Sequence, residues 1–452
     1  MRTWIKSPLA IFTNGKGHAE NGIVIDGKTI SEWVAAGGAP REAVDEVFDA
    51  SAHVVIPGLI NTHHHYYQTL TRATPCALNK ELFPWLKSLY PIWAGLTDEM
   101  VHVSTQLACA ELLLSGCTTS SDHHYLFTDR SANAMDAQVE AVREIGIRAV
   151  VTRGSMSVGQ KNGGLPPENT VQDEDQILND CDSVIQKYHD PMPGSMLQIA
   201  LAPCSPFSVS KDLMVNVAEL ARIHKVKLHT HLAETRDETD YCLQKFNCRP
   251  LDYLENVNWL SSDVWLAHGI FFEDKEIHKL GGAGVGISHC PTSNMMLGSG
   301  QCRVLELQAN GCAVGIGVDG SASNDCSNMM QEVRQALLLQ RLQYGAARVS
   351  HQQVLSMATQ GSARCLGRDD IGALAIGMQA DLALFKLDDT RFCGAGDPLA
   401  ALVLCGADAA DCVMVAGQWK VKNQALLGVD LETLKHKHSQ LAHTLQQSVN
   451  FQ

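Results

Sequence analysis

The sequence predicts an α/β protein made of a (β/α)8 barrel and a small β-sandwich that is formed from both ends of the chain. Between residues 53 and 320, eight short runs that are apolar on both faces alternate with helix-length segments, which is the pattern of parallel strands in βα units. Near both ends, short alternating runs are separated by Asn-Gly or Asp-Gly pairs, which favour hairpins. We therefore expect residues 1–56 and 366–452 to form the sandwich, with a terminal helix, and residues 57–365 to form the barrel.

The eight barrel strands are predicted from their composition. They are HVVIPGLI (53–60), CTTSSDHH (117–124), IRAVVTRG (147–154), MLQIALAP (196–203), VKLHTHLA (226–233), VWLAHGI (264–270), GVGISHC (284–290) and AVGIGVDG (313–320). One connector illustrates how the helices are predicted: Thr97 is a candidate N-cap, Asp98 and Glu99 suit the positive end of the helix dipole, and Gly116 ends the segment.

The terminal segments and one loop have different compositions from the barrel. LAIFTNGKGHAENGIVIDGKTISEW near the front, and GALAIGMQADLALFKLD and DCVMVAGQWKVKNQALLG near the back, are typical of hairpins. Residues 163–176, which follow the third predicted strand, are rich in Gly, Pro and acidic residues. We expect a mobile loop there, on the face where barrel enzymes carry their active sites.

The bulk composition excludes several classes of partner. Lys and Arg total 35 against 49 for Asp and Glu, and the net charge of −14 opposes binding of a nucleic acid polymer but permits a single base. The start of the chain lacks the pattern of a signal peptide, and no run reaches the ~20 apolar residues of a membrane span. The 15 cysteines contain no C-x-x-C pair, so we expect reduced, buried thiols and a cytoplasmic location with no membrane partner.

Three adjacent histidines end the first predicted strand. In a strand, residues i and i+2 point to the same face, so His63 and His65 can converge inside the barrel while His64 points outward and packs. An H-x-H pair alone is weak evidence for a metal, because two histidines at this spacing are often ordinary core or surface residues.

The ends of other predicted strands add further groups of the same kind. His231 is followed by Glu234, and His268 and Asp319 end two later strands. The carboxyl ends of barrel strands are where catalytic residues cluster, and a ring of His and Asp there suits a divalent ion such as zinc. The sequence therefore predicts a metal centre that takes a residue from each of several strands.

These motifs resemble the amidohydrolase superfamily, in particular its branch of metal-dependent deaminases and triazine hydrolases. The resemblance rests on PGLINTHHH, HTHLAET, LAHG, SHCPTSN and GVDGSASND in this order, and it covers essentially the whole chain. It implies one zinc ion, or iron, held by four residues: His63, His65, His231 and Asp319. It also implies that Glu234, His268 and Asp319 are catalytic. The binuclear members carry a bridging lysine where this chain has LAPCSP, and its absence favours a single metal.

The resemblance also implies a hydrolytic deamination. A divalent metal lowers the pKa of a bound water molecule towards neutrality. Asp319 would then accept the proton of that water, His268 would polarise the ring position under attack, and Glu234 would protonate the ring nitrogen and afterwards the leaving amine. The products would be a carbonyl and ammonia.

Several other histidines have two interpretations. His229 faces the same way as His231 but one layer deeper, which favours filling of the barrel over metal binding. His289 ends the seventh predicted strand, where the resemblance implies a contact with substrate or with a ligand residue. His123 and His124 end the second predicted strand, and a structural role is as reasonable for them as a substrate contact.

The resemblance suggests a free planar heterocycle as the substrate. Cys204 stands where nucleoside deaminases of this branch have a histidine, and Trp93 stands in place of a glutamate suited to a ribose diol, so a base stacked on Trp93 is favoured over a nucleoside. Gln68 and Arg153 match residues that contact guanine or a purine carbonyl in related deaminases. A glutamine and an arginine can read the edge of an oxopurine through directional hydrogen bonds.

At closer range, HHHYYQTLTRA, ELFPWLKSLYPIWAGL and RGSMSVGQKNGGLPP resemble the bacterial 8-oxoguanine deaminases. This implies an aminohydrolase of purine catabolism that converts 8-oxoguanine and water to urate and ammonia. Guanine, isoxanthopterin and s-triazines stay open as alternative substrates, because those hydrolases share the same frame. A non-catalytic binding relative is a further alternative, and the family favours a homo-oligomer.

Overall fold

The computed structural model describes residues 1–15 and 19–447. The strands are β1 Arg2–Lys6, β2 Ala10–Ile11, β3 Gly22–Asp26, β4 Thr29–Trp33, β5 Glu46–Asp49, β6 His53–Pro57, β7 Leu59–Asn61, β8 His64–His65, β9 Cys117–His124, β10 Arg148–Ser155, β11 Leu197–Pro203, β12 Leu228–Leu232, β13 Val264–His268, β14 Gly286–His289, β15 Ala313–Ile316, β16 Asp319–Gly320, β17 Leu382–Lys386, β18 Cys412–Val415, β19 Gln418–Lys422 and β20 Ala425–Leu426. The helices are α1 Leu82–Trp93, α2 Asp98–Leu114, α3 Ala134–Ile145, α4 Glu174–Tyr188, α5 Lys211–His224, α6 Arg236–Phe246, α7 Pro250–Asn256, α8 Asp274–Ala283, α9 Pro291–Met296, α10 Val304–Ala309, α11 Met329–Tyr344, α12 His351–Ser356, α13 Ser362–Cys365, α14 Pro398–Leu404 and α15 Leu431–Gln447.

Eight parallel strands close into a barrel in the order β10, β11, β12, β13, β14, β15, β7 and β9. Each of the eight predicted runs supplies one of them, so the predicted (β/α)8 barrel is confirmed. The helix predicted after Thr97 is also present as α2, and the Thr97 hydroxyl accepts a hydrogen bond from the Met100 N–H at 3.2 Å. Apolar side chains of the strands and of the surrounding helices form one continuous core.

Two of the predicted strands are divided in the structure. In the first run, β6 leaves the barrel and pairs antiparallel with β17, and only β7 belongs to the barrel. In the last run, β15 ends at Ile316, and the chain resumes as β16, which pairs in parallel with β8. This short second ladder extends the first and last barrel strands beyond their carboxyl ends and sets Asp319 opposite His64.

Both ends of the chain build two further sheets, as predicted for a sandwich. One sheet has the order β4, β3, β1 and β5, and the other has the order β2, β6, β17, β18, β19 and β20. The predicted Asp26-Gly27 turn joins β3 to β4. The hairpin predicted in GALAIGMQADLALFKLD is wrong, because only β17 forms there and it pairs with β18 and β6 instead. The division at residues 56/57 and 365/366 stays a prediction.

The predicted loop at residues 163–176 contains a single 3-10 turn, Glu168–Thr170, and ends where α4 begins. Its mobility stays a prediction. Within the described part of the chain, none of the helices is long and apolar enough to cross a bilayer.

Candidate active site

A cavity opens at the carboxyl ends of the barrel strands. The polar side chains that line it include His65, His231, Glu234, His268 and Asp319. The rest of the lining is mostly apolar and aromatic, with Leu82, Trp85, Leu86, Tyr90, Tyr125, Phe207 and Leu297. Such a pocket, apolar with a few convergent polar groups, is typical of sites for small organic ligands.

Four of the site residues that the sequence predicted come together beside this cavity. One ligand atom from each of His63, His65, His231 and Asp319 lies within 4.8 Å of the others. Asp319 Oδ1 is 3.2 Å from His63 Nε2 and 3.3 Å from His65 Nε2, and the Nε2 atoms of His65 and His231 are 3.2 Å apart. The set offers three imidazoles and one carboxylate to one point.

Hydrogen bonds fix the orientation of all three imidazoles. His65 Nδ1 lies 2.7 Å from the carbonyl of His123, and His231 Nδ1 lies 2.6 Å from the carbonyl of Cys204. His63 Nδ1 lies 2.8 Å from His229 Nε2. A carbonyl only accepts, so Nδ1 carries the proton in His65 and His231, and the Nε2 lone pairs are directed at the common point.

These atoms fit a divalent ion. Two unprotonated Nε2 atoms 3.2 Å apart repel each other unless a cation lies between them. His63 Nε2 is buried and has no hydrogen-bond partner among the described residues. Burial lowers the pKa of His63 and His231 well below the usual range, so both are neutral and able to coordinate. Imidazole and carboxylate are ligands that zinc prefers.

Asp319 is held as a carboxylate by several donors. Its Oδ2 accepts hydrogen bonds from Ser293 Oγ at 2.6 Å and Ser323 Oγ at 3.5 Å, and its Oδ1 accepts one from the Gly320 N–H at 2.7 Å. Burial alone would raise the pKa of Asp319, but the neighbouring His63 and His65 side chains lower it well below the usual range. Asp319 is therefore ionised, as a metal ligand must be.

Glu234 and His268 lie beside the four candidate ligands. Glu234 is 5% exposed, and its Oε2 is 3.5 Å from His268 Nε2. His268 Nε2 is also 3.9 Å from Asp319 Oδ2, while its Nδ1 is held at 3.0 Å from the Asn294 side-chain oxygen. Burial, and then the Asp319 carboxylate, raise the pKa of Glu234 well above its usual range. This raised pKa favours the protonated form of Glu234, which is the form that can give a proton to a bound molecule.

The backbone is strained where the site residues leave the barrel. His268 and Asp319 have φ angles of +71° and +63°, and Ala233, which precedes Glu234, has +54°. Residues other than glycine adopt such angles at a cost of roughly 1–3 kcal/mol each, and they do so mainly at functional sites. The Glu238 carboxylate stabilises one of these turns by accepting the N–H groups of Ala233 and Glu234 at 2.9 and 3.0 Å.

Two of the five predicted substrate contacts line the cavity. Gln68 lies in the 3-10 helix Tyr66–Thr71, and its Oε1 accepts the Ala322 N–H at 3.3 Å. A Cβ at position 320 would come within 1.8 Å of that oxygen, so Gly320 leaves the room that Gln68 occupies. Cys204 also faces the cavity, and burial raises the pKa of its thiol to about 12, so it is neutral.

The other three predicted contacts do not line the cavity. Trp93 is fully buried behind it and donates its N–H to Thr71 Oγ1 at 3.1 Å. The Arg153 guanidinium bonds the Gly154 carbonyl and pairs with Asp180 at 3.2 Å. His289 is buried and bonds Gln340 at 3.3 Å. Each side chain is engaged by its own neighbours, which corrects the expectation that these three residues face the substrate.

The histidines with two interpretations are structural in their contacts. His229 donates its Nδ1–H to the carbonyl of Trp265 at 2.9 Å, which leaves its Nε2 to accept the Nδ1–H of His63. His123 Nε2 lies 2.9 Å from the carbonyl of Ala202. His64 bonds Ser327 Oγ at 2.9 Å, outside the group of four, and His124 packs edge-on against Phe127.

Sequence reasoning missed part of the site. Ser293 and Asn294, which hold Asp319 and His268, lie in the same SHCPTSN motif that drew attention to His289. Trp85 and Tyr90 line the cavity from α1 in place of Trp93. The apolar sequence of α1 indicates that these residues are buried, but it does not indicate which of them line the cavity.

Comparisons with known proteins agree with this geometry. The model of the Amidohydrolase family matches residues 54–420. The chain is 57% identical to an 8-oxoguanine deaminase from Pseudomonas aeruginosa over 98% of this chain and 99% of the relative. It is 35% identical to a hydroxydechloroatrazine ethylaminohydrolase from Pseudomonas sp. strain ADP, over 89% of this chain and 85% of that one. The structure of an atrazine chlorohydrolase from Arthrobacter aurescens TC1 complexed with zinc is similar, with a TM-score of 0.91 and 31% identity over 97% of this chain and 100% of that chain.

Proposed function

Because the chain belongs to the amidohydrolase family, we propose that it is a metal-dependent deaminase of a free oxopurine, with 8-oxoguanine as substrate and urate and ammonia as products. One observation carries the proposal: Glu234 and His268 lie next to four candidate metal ligands, in a cavity whose remaining lining is mostly apolar and aromatic. The arrangement provides a proton donor, a carboxylate and a cation site around one position of a bound ring.

We propose that one zinc ion is held by His63, His65, His231 and Asp319, with iron as the alternative. The fixed Nδ1 protons and the buried, unpartnered His63 Nε2 support this assignment, and so does the zinc in the structure of the related chlorohydrolase. When bound, the ion supplies the acidity that lets a water molecule act as nucleophile at neutral pH.

The protein's own groups then carry the protons. The ionised Asp319 carboxylate accepts a proton from the attacking water, and its hydrogen bond from Ser293 keeps it oriented. The protonated Glu234 gives its proton to the ring nitrogen beside the carbon under attack. Of the two protons that the attacking water loses, one passes through Glu234 to the departing amine, and the other returns Glu234 to its protonated form. His268, fixed by Asn294, polarises the position under attack. The amine leaves as ammonia, and the ring carbon becomes a carbonyl.

The lining of the cavity supports a free base as substrate. Aromatic side chains offer faces for stacking on a planar ring, and Gln68 offers an amide to its edge. The 57% identity with an 8-oxoguanine deaminase over nearly the whole of both chains supports 8-oxoguanine in particular. The 35% identity with a triazine aminohydrolase favours amine removal from a triazine as the second candidate.

Steady-state assays of the metal-loaded protein with 8-oxoguanine, guanine, isoxanthopterin and hydroxyatrazine test the proposal. We expect kcat/KM to be highest for 8-oxoguanine, with ammonia and urate released in equal amounts. Equal or faster turnover of another compound would contradict the substrate assignment. Protein purified without metal and not activated by zinc would instead support a non-catalytic relative.

The proposal includes a cytoplasmic location and a homo-oligomer. All 15 cysteines are free of disulfides, as expected of a reducing compartment. Sedimentation of the purified protein tests the oligomeric state.

A further inference from the structure

The lining of the cavity includes a hydroxyl group that none of the described residues uses. Tyr90 lies on α1, lines the cavity and is 1% exposed. Its hydroxyl is buried and has no hydrogen-bond partner within the described part of the chain. Burying a hydroxyl without a partner is unfavourable, and native proteins seldom do so without a reason in their function.

The neighbouring polar groups are not in the same position. The Trp85 indole N–H donates to the carbonyl of Ala322 at 3.1 Å, so it is committed to the protein. The Cys204 thiol is only a weak donor and acceptor. Tyr90 therefore brings to the cavity a strong hydrogen-bonding group that is free for a ligand.

The chemistry of an oxopurine indicates which atom would meet this hydroxyl. The amine that leaves is on position 2 of the six-membered ring, which must lie beside Glu234 and His268. Position 8, on the five-membered ring, lies at the opposite end of the long axis of the purine. A base held with position 2 beside these groups therefore directs position 8 away from them, towards the rest of the cavity, whose lining includes Tyr90.

We propose that Tyr90 is a specificity-determining residue whose hydroxyl donates a hydrogen bond to the carbonyl at position 8 of the substrate. The inference rests on the proposed function and deepens it, because it explains how an 8-oxopurine is distinguished from a purine with hydrogen at this position. Burial and the nearby Cys204 thiol raise the pKa of Tyr90 well above its usual range, so the hydroxyl keeps its proton and can donate. A site that is built to bond a polar group discriminates strongly against the analogue that lacks it.

The test uses Tyr90→Phe in the metal-loaded enzyme, with Tyr253→Phe as the matched control. Tyr253 is likewise 1% exposed with an unpartnered hydroxyl, but it lies on α7 in the barrel core and not at the cavity. Binding of urate and xanthine is measured by calorimetry, because urate is the 8-oxo form of xanthine. We expect Tyr90→Phe to weaken urate binding about tenfold or more and to change xanthine binding less than about twofold. In the control, both affinities stay as in the wild type.

Kinetics and stability separate this inference from the proposed function. In Tyr90→Phe, kcat/KM for 8-oxoguanine falls about tenfold or more, mainly through KM, because the bond is present in both the bound substrate and the transition state. Tm stays at or above that of the wild type, because no partner in the protein is lost. Wild-type protein that fails to deaminate 8-oxoguanine overturns the proposed function. An unchanged ratio of urate to xanthine affinity in Tyr90→Phe, or a lowered Tm, overturns the role of Tyr90.

Discussion

Glu234 lies next to His268, in surroundings that favour the protonated form of its side chain. It follows the positive-φ residue Ala233, and its Oε2 lies 3.5 Å from His268 Nε2. The raised pKa of Glu234 follows from burial first and from Asp319 second. Its backbone N–H donates to the Glu238 side chain, which also accepts the Ala233 N–H, so one side chain holds both residues of this turn. A proton donor of this kind contributes roughly a hundredfold to ten-thousandfold to a rate.

Glu234→Gln should therefore abolish most of the turnover while leaving the metal in place. The glutamine keeps the shape of the side chain but has no proton to transfer, and Glu234 is not among the four candidate ligands. We expect kcat to fall roughly a hundredfold or more, with an unchanged metal content by elemental analysis. Glu219→Gln, an exposed change on α5, serves as the control. Substantial activity in Glu234→Gln would rule out the proton-transfer role.

The adjacent histidines His64 and His65 should respond differently to the same change. His65→Gln removes an Nε2 that is directed at the ligand group, so we expect metal affinity and activity to be lost together. His64→Gln instead disturbs the hydrogen bonds to Ser327 and to the His65 N–H. We expect it to lower Tm but to retain one metal per chain. Competition with a chromogenic chelator measures the metal affinity of both variants. Equal loss of metal in the two would contradict the different roles of His64 and His65.

Among single residues, the sequence predicted which side chains come together as candidate ligands better than which side chains line the cavity. The alternation of side chains along a strand separates His63 and His65 from His64, and the structure agrees. The periodicity of α1 cannot show whether Trp93 or Tyr90 faces the cavity, because both positions are buried. That choice depends on where the helix lies against the barrel, which is a property of long-range packing.

Among the elements, α15 is the one that couples the end of the chain to the site. It packs against α2 and against the 3-10 helix that carries Gln68. His438 Nε2 lies 3.0 Å from Thr69 Oγ1, and Gln446 donates its side-chain N–H to the carbonyl of Leu70 at 2.8 Å. These bonds fall on the two residues that follow Gln68, so α15 supports the segment in which Gln68 lies.

The docking of α15 should weaken in acid. Burial, and then Arg72, lower the pKa of His438 to about 4 from an unfolded value of 6.5. Above pH 6.5 neither state is protonated, and the group has no effect; as the pH falls from 6.5 to about 4, the unfolded state binds a proton that the folded state cannot. Stability is therefore lost through this window, by about 2–3 kcal/mol at pH 4.5.

Thermal unfolding of wild type and His438→Gln between pH 7.5 and 4.5 checks this effect. Glutamine can still bond Thr69 but does not titrate, so the Tm of the variant should fall less on acidification than that of the wild type. His436→Gln, on the exposed face of the same helix, should follow the wild type. Parallel Tm curves for wild type and His438→Gln would show that His438 is not the group responsible.

The strands also show what a local pattern can predict. Most of the eight barrel runs are found because burial on both faces gives them an apolar sequence, whereas CTTSSDHH, which forms β9, is fully buried but polar. The run HVVIPGLI contains β6 and β7, which are equally apolar, yet β6 pairs with β17 from the far end of the chain. A run of this kind indicates burial, but it does not identify the partner strand, so it could not show that β6 and β7 belong to different sheets.

For the whole molecule, one buried ion pair fastens the barrel to the sheet formed by the chain termini. Arg148, at the start of β10, makes two bonds to Asp381, at 2.9 and 3.1 Å, and also donates to the carbonyls of Gly194 and Ser195. Asp381 directly precedes β17 and accepts the Ala416 N–H at 2.7 Å. The pair joins the amino end of a barrel strand to the six-stranded sheet, at the opposite end of the barrel from the site.

Asp381→Asn should therefore destabilise the fold without changing the chemistry. The asparagine leaves the buried Arg148 charge uncompensated, and breaking one partner of such a pair costs about 3–5 kcal/mol. The control, Asp252→Asn, removes one partner of the exposed pair with Lys279 and should cost less than about 1 kcal/mol. Denaturant titration measures both losses, and kcat per folded, metal-loaded molecule should equal that of the wild type in both variants, because neither change reaches the carboxyl ends of the strands. A fall in kcat for Asp381→Asn would mean that the junction with the terminal sheet also sets the geometry of the site, and a loss no larger than that of Asp252→Asn would mean that the two parts are held together by apolar packing alone.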